Sequence, residues 1–288
     1  MFGGARDVTL LPHAQGVAVP VMPPMGMAAP YQHVMGCSGF DQLAGLTGIE
    51  VQERANVLQE VTAMLGVEID MANKYRVLGP GGVQYFYAVE RTECCRRQMQ
   101  QSCCHDCAPW DVDVLYTPPG GPHQRFVTLH RPCQWTCCCV NRPVAEVIDQ
   151  ATGQRIGSFR DPCTCCGLQF EVRDAAGDNV LKVDGGCCCC QPGMWCPLPC
   201  GPCSHVNFNV EDARTRDAVA TISKRVPGCL AWLLAPDVDN YRVQFEQVQN
   251  PQWKAVLLAF TIFMDFRYFN TNRNNAAAHR AAANAGES

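Results

Sequence analysis

Charge is scarce in this 288-residue chain. Asp, Glu, Lys and Arg make up 17% of it, and the net charge of −4 supplies no basic field for sequence-independent nucleic-acid binding. Nucleic acid is therefore not an expected partner. A long hydrophobic run is missing too. The most apolar stretch, 254–269, is uninterrupted only from Ala255 to Met264 before Asp265 and Arg267 break it, whereas a spanning helix needs roughly 20 such residues. Residues 1–7 hold no basic region followed by an apolar run, so no signal peptide is expected, and Phe2 stands where a myristoylation start needs glycine. Catalytic signatures are absent as well: there is no G-x-S-x-G, no H-E-x-x-H and no G-x-x-x-x-G-K. Nothing singles out a cysteine nucleophile paired with His105, His123, His130 or His205, so no enzyme is expected.

Hydrophobic residues (47%) and cysteine (21 residues) are what the chain has in quantity. The length and apolar content suffice for one large domain with a sizeable core. Without a secretory leader, the cysteines read as reduced thiols, metal ligands or acylation sites rather than a disulfide framework. Residues 1–38 carry Pro12, Pro20, Pro23, Pro24 and Pro30 with almost no charge and no period, the composition of a disordered tail. Pro20 and Pro23 have PxxP spacing without a flanking basic residue. Protein partners, if recruited by this tail, would be read through that segment. Residues 273–288 form a second disordered tail, leaving 39–272 as the folded domain.

From Ile49 onward, short stretches alternate apolar and polar residues, the pattern of half-buried strands. After the first, they centre on 74–78, 83–90, 110–116, 125–131, 143–149, 154–160, 167–173, 179–184, 205–211, 217–223 and 241–247, about twelve in all. Sidedness is plain where Leu168, Phe170 and Val172 alternate with Gln169, Glu171 and Arg173, and where Val206, Phe208 and Val210 alternate with Asn207, Asn209 and Glu211. A short helix from Asn56 to about Leu65 is expected after the first strand, with Val57, Leu58, Val61, Met64 and Leu65 on its apolar face.

A helix apolar on every side, as 254–269 is, needs protein all around it. The expected fold is therefore mainly β: a closed antiparallel barrel of about twelve strands, polar outside, with this C-terminal helix through its lumen. The connections alternate between plain turns (79–82, 117–124, 151–153, 175–178, 211–216) and cysteine-bearing loops (94–107, 133–139, 163–166, 187–203 and the stretch with Cys229). In an antiparallel meander every second connection lies at the same end, so the cysteines should crown one rim. The same parity places the 53–73 connection, Asp237 and Asp239 on that rim and sends the helix C-terminus toward it. Asp265 would then accept hydrogen bonds from strand groups or lie near the mouth.

Asn73-Lys-Tyr75, Glu90-Arg-Thr-Glu-Cys-Cys95, His130-Arg-Pro-Cys133 leading into Cys137-Cys-Cys139, Ile222-Ser-Lys224, Asp237-Val-Asp-Asn-Tyr241 and Phe263-Met-Asp-Phe266 occur in this order. In this the chain resembles the phospholipid scramblases over about residues 39–272. The resemblance implies a tubby-like fold, a twelve-stranded barrel around a hydrophobic C-terminal helix. It also implies a membrane-associated protein, lipid-anchored at the cytoplasmic face of the plasma membrane, whose activity is ATP-independent, Ca2+-stimulated movement of membrane phospholipids between leaflets.

The cysteine runs admit three readings. Cys137, Cys138 and Cys139 match the start of the family's palmitoylated run, and several chains on one rim would anchor where one does not; the run ends here at Val140-Asn141, without the family's further cysteines. Cys104, Cys107, Cys200 and Cys203 have C-x2-C spacing that suits tetrahedral Zn2+ once two pairs meet. The third reading is reduced loop thiols. Asp237, Asp239 and Tyr241 occupy positions 1, 3 and 5 of the segment to which the resemblance assigns Ca2+. An EF-hand loop would place Gly at position 6 and an acid at position 12, where Arg242 and Val248 stand. Lys224-Arg225 falls in the family's suggested nuclear-import neighbourhood, but two basic residues equally suit a solvated turn. The alternative to lipid transport is an acyl-anchored module that binds lipid or protein without moving lipid.

Overall fold

In a computed structural model of the chain, the residues described are 38–53, 74–91, 107, 109–118, 121–135, 141–164, 166–194, 196, 198, 200–226 and 240–269. Twelve strands form one closed antiparallel barrel: β1 (Gly48–Glu53), β2 (Lys74–Leu78), β3 (Gln84–Arg91), β4 (Trp110–Tyr116), β5 (Gln124–Arg131), β6 (Val144–Asp149), β7 (Arg155–Arg160), β8 (Gly167–Asp174), β9 (Asn179–Cys187), β10 (His205–Asp212), β11 (Ala218–Arg225) and β12 (Asn240–Gln244). Each pairs with its sequence neighbours, and β12 closes on β1 in a register running from Gly48 opposite Gln244 to Gln52 opposite Asn240. Closure leaves no strand edge unpaired. All twelve strands fall where the alternation of apolar and polar residues predicts them.

The strands alternate because one face packs and the other is wet. In β8 the inward Leu168, Phe170 and Val172 are buried, while Gln169 and Glu171 between them are partly exposed; β10 repeats the pattern with Val206, Phe208 and Val210. The inward residues meet α2 (Pro251–Met264), which a π-helical turn continues through Asp265–Phe269. The helix starts three residues before the expected Lys254. Asn250 caps it by accepting from the Gln252 amide at 2.9 Å, and Pro251 sits in the first turn, where a missing N–H costs nothing.

Every residue of α2 from Trp253 to Met264 is buried, which is why no polar face exists in this stretch. Phe260 packs between Phe159 and Phe170 at ring distances of 5.4 and 5.1 Å, edge-to-face in both cases. Each large side chain so buried contributes about 1.5–3 kcal/mol of hydrophobic stabilisation. Gly157 on β7 marks the closest passage: a Cβ there would come within 2.9 Å of the Val256 side chain. Among the described residues, no helix is long and apolar enough to cross a membrane.

A helix not expected from the sequence, α1 (Gly39–Ala44), precedes β1. A capping box starts it: Ser38 Oγ accepts from the Asp41 amide at 3.2 Å, and Asp41 Oδ2 accepts from the Ser38 amide at 2.9 Å. Phe40 packs edge-to-face on Phe126 at 4.6 Å. The helix expected at 56–65 lies outside the described residues.

Candidate functional site

Strand direction sorts the connections into two ends. The turns 79–83, 117–123, 150–154, 175–178 and 213–217 share one rim with α1 and the start of α2; the loops 132–143, 161–166 and 188–204 share the other. The described loop cysteines therefore crown one rim, as parity predicts. Helix direction agrees. Lys254, at the plain end, donates from Nζ to the carbonyls of Leu43, Ala44 and Leu46 at 3.2, 2.9 and 2.7 Å. Burial pushes its pKa below the ordinary lysine value.

At the cysteine end, the fully buried Asp265 accepts from the Tyr75 hydroxyl on β2 at 2.5 Å and from the Tyr241 hydroxyl on β12 at 2.6 Å. A carboxyl in an apolar lumen needs such donors, since an unmet one would be costly. Lys224 on β11 is buried, its ammonium 3.4 Å from the Phe269 ring centroid and 5.9 Å from that of Tyr241. It belongs to the barrel lining, not to a solvated turn; Arg225 beside it is exposed. At the mouth, buried Asp161 between β7 and β8 accepts from Arg142 at 2.6 Å and Arg267 at 2.9 Å. Burial, followed by the Asp161 charge, pushes the neighbouring Tyr268 hydroxyl up to about 12.

The loop between β9 and β10 is built of three short 3-10 turns, Cys188–Cys190, Pro192–Met194 and Gly201–Ser204. Gln191 ties it to the barrel. Its side-chain amide donates to the carbonyls of Gly185 and Asn207, and its Oε1 accepts from the Asn207 amide at 2.8 Å. Gly193 passes so close to the returning chain that a Cβ would lie 2.7 Å from the His205 carbonyl. In the loop between β5 and β6, Gln134 does similar work, donating to Asn141 Oδ1 at 2.6 Å and to the Arg142 carbonyl at 3.1 Å. Neither amide stood out in the sequence; each is the polar residue set in a run of Cys, Pro and apolar side chains.

Of the residues that the sequence singles out, Cys137, Cys138, Cys139, Cys104, Asp237 and Asp239 lie outside the described set. Cys200 is exposed, and Cys107 and Cys203 are partly buried. Among the described residues, no group of three or more His, Cys, Asp or Glu is placed to hold a metal ion. Tyr241 turns inward, its hydroxyl committed to Asp265. The thiols differ chemically. Hydrogen bonding from the Cys189 backbone, with the Cys189 and Cys190 thiols, draws Cys187 below its ordinary pKa, favouring the nucleophilic thiolate. Partial burial, and then the proximity of Cys196 and Cys200, pushes Cys203 up.

A closed twelve-stranded barrel filled by its own C-terminal helix is the architecture that the scramblase resemblance implies. The chain matches the Scramblase family over residues 27–271 and belongs to it. It is 27% identical over 248 residues to phospholipid scramblase 2 of Bos taurus, covering 86% of this chain and 76% of that protein. It is 27% identical over 246 residues to human phospholipid scramblase 1, covering 85% and 70%, and 24% identical over 280 residues to human phospholipid scramblase 2, covering 94% and 86%. No solved structure matches.

Proposed function

We propose that this protein moves phospholipids between membrane leaflets without ATP, held at the cytoplasmic face of the plasma membrane by acylated cysteines on its rim. The observation that carries this reading is its similarity to phospholipid scramblases over most of its length. Such transport makes and breaks no covalent bond, so it needs no nucleophile. Cys137, Cys138 and Cys139 are the proposed acyl acceptors. They stand in sequence between β5 and β6, and multiple chains provide the anchoring that one lacks. Asp237 and Asp239, which stand in sequence between β11 and β12, are the proposed Ca2+ contacts; oxygen ligands suit that ion. Zn2+ on Cys104, Cys107, Cys200 and Cys203 is a further proposal, checked by metal analysis of the purified protein. The Pro-rich tail is the proposed site for protein partners.

The test is reconstitution of acylated protein in vesicles with one fluorescent leaflet. Exchange above the protein-free rate, raised by Ca2+ and less so in Asp237→Asn/Asp239→Asn, is expected. The filled lumen favours a second reading, since α2 occupies the interior through which a headgroup would pass: an acyl-tethered module that binds lipid or protein. Protein that stays on the vesicles while exchange remains at the protein-free rate, with and without Ca2+, leaves that reading alone standing. Anchoring has its own readout. Hydroxylamine-sensitive thioester labelling should fall and the protein leave membranes when Cys137, Cys138 and Cys139 become Ser; unchanged labelling refutes those sites.

A further inference from the structure

Three large hydrophobic side chains stand exposed among the described residues: Trp135 at 71%, Val83 at 56% and Leu198 at 37%. Two of them, Trp135 and Leu198, are on the cysteine rim, in the loops 132–143 and 188–204. The second loop has an unusual composition. Its seventeen residues contain no Asp, Glu, Lys, Arg or His, but six cysteines, four prolines, Met194, Trp195 and Leu198. Exposed loops are ordinarily polar, and an uncharged apolar loop on the same rim as an exposed tryptophan marks that rim as an interaction site.

The loop is also prepared to leave water. Its amides turn back on itself, Met194 donating to the Gln191 carbonyl at 3.0 Å and Cys196 to the Pro192 carbonyl at 2.9 Å, while Gln191 meets Gly185 and Asn207. Entering a low-dielectric region with unmet backbone groups would cost several kcal/mol each. The prolines reduce the number of N–H groups that need partners. Tryptophan favours the boundary between headgroups and acyl chains. A protein partner with a charged surface would find no countercharge on the loop.

We propose that the 188–204 loop and Trp135 form a wedge that seats the cysteine rim in the interfacial zone of a lipid bilayer before any acyl chain is attached. The inference rests on the reading of this rim as membrane-facing and adds a contact that needs no modification. Leu198 and the exposed Cys189, Cys190 and Cys196 enter the headgroup boundary, and the irregular backbone limits the depth to that boundary. Holding the rim there would place the loop thiols where membrane-bound acyl donors reach them, so docking would precede acylation.

The full chain, expressed where no acyltransferase is present, is mixed with vesicles of phosphatidylcholine alone and separated by flotation. It should float with the vesicles, and high salt should not release it, because the wedge carries no charge to be screened. Leu198→Asp and Trp135→Asp should each weaken binding about tenfold or more, whereas Val83→Asp on the opposite rim should not. Bromine-labelled acyl chains should quench tryptophan emission in the parent, and less in Trp135→Phe. Thermal melting controls for folding of each variant. Failure of the parent to float, binding confined to anionic vesicles and abolished by salt, or equal effects of Val83→Asp and Leu198→Asp would each overturn the proposal. None of these outcomes touches the transport reading, which is measured on acylated protein already held on vesicles.

Discussion

The two ends of the central helix solve one problem in opposite ways. At the plain rim a cation, Lys254, meets three backbone carbonyls supplied by the segment around α1; at the cysteine rim a carboxyl, Asp265, meets two tyrosine hydroxyls supplied by β2 and β12. A helix apolar on all sides could slide along its barrel, since hydrophobic packing has no direction. Polar groups with fixed partners set its axial position. The plain end depends on backbone and so tolerates side-chain change in α1. The cysteine end depends on the identity of two residues far apart in sequence, which makes it the more exacting of the two.

The largest difference between the ends should come from Asp265→Ala. It strands two buried hydroxyls, each at about 1–3 kcal/mol, and opens a cavity, so a loss of roughly 3–5 kcal/mol by denaturant midpoint is expected. A loss below that of the Lys254 variant would reverse the ranking. Tyr241→Phe and Tyr75→Phe each remove one donor to the carboxyl and should cost about 1.5–3 kcal/mol. Combined, they should depart from additivity, because both address one group. Lys254→Met keeps the aliphatic stem while three carbonyls lose their donor; about 1–2 kcal/mol is expected, partly offset by removing a buried ammonium. Equal midpoints for Lys254→Met and the parent would show the plain end to be held by packing alone.

Alkaline pH gives the smallest effect and separates the ends by sign. The folded pKa of Lys254 lies below its unfolded value, so between the two the unfolded chain binds the extra proton and stability rises with pH. Tyr268 is raised to about 12, so the folded chain keeps a proton that the unfolded chain loses from about pH 10, and stability falls through that window. Lys254→Met should remove the rising component and Tyr268→Phe the falling one in melts across alkaline pH. If the phenolate absorbance lost in Tyr268→Phe titrates near pH 10 and not near 12, the raised value is wrong.

The barrel was legible because period-two alternation is repeated along every strand, and because a short apolar helix without a wet face demands a wall. Rim parity followed from antiparallel connectivity alone. Six residues were too few for a periodic signal to reveal α1, whose real mark is the pairing of Ser38 with Asp41. The partners of Asp265 were unreadable for another reason: Tyr75 and Tyr241 stand 190 and 24 residues away and meet only after the barrel closes. The burial of Lys224 was hidden because its neighbour Arg225 is wet, and strand parity at a strand end depends on where the strand stops. For the acyl and Ca2+ positions, residue type and order remain the guide, since Cys137, Cys138, Cys139, Asp237 and Asp239 lie outside the described residues.

The closing pair of strands belongs to the first and last of twelve, and the helix that fills them comes later still. A ribosome thus delivers the whole wall before its core. Until residues 251–269 emerge, Phe159 and Phe170 have no helix to cover them, and β1 must wait with a bare edge for β12. Such exposure is what makes nascent chains sticky. Biogenesis of this protein is therefore a problem of timing as much as of stability, with the final segment of the domain deciding whether everything made before it can be buried.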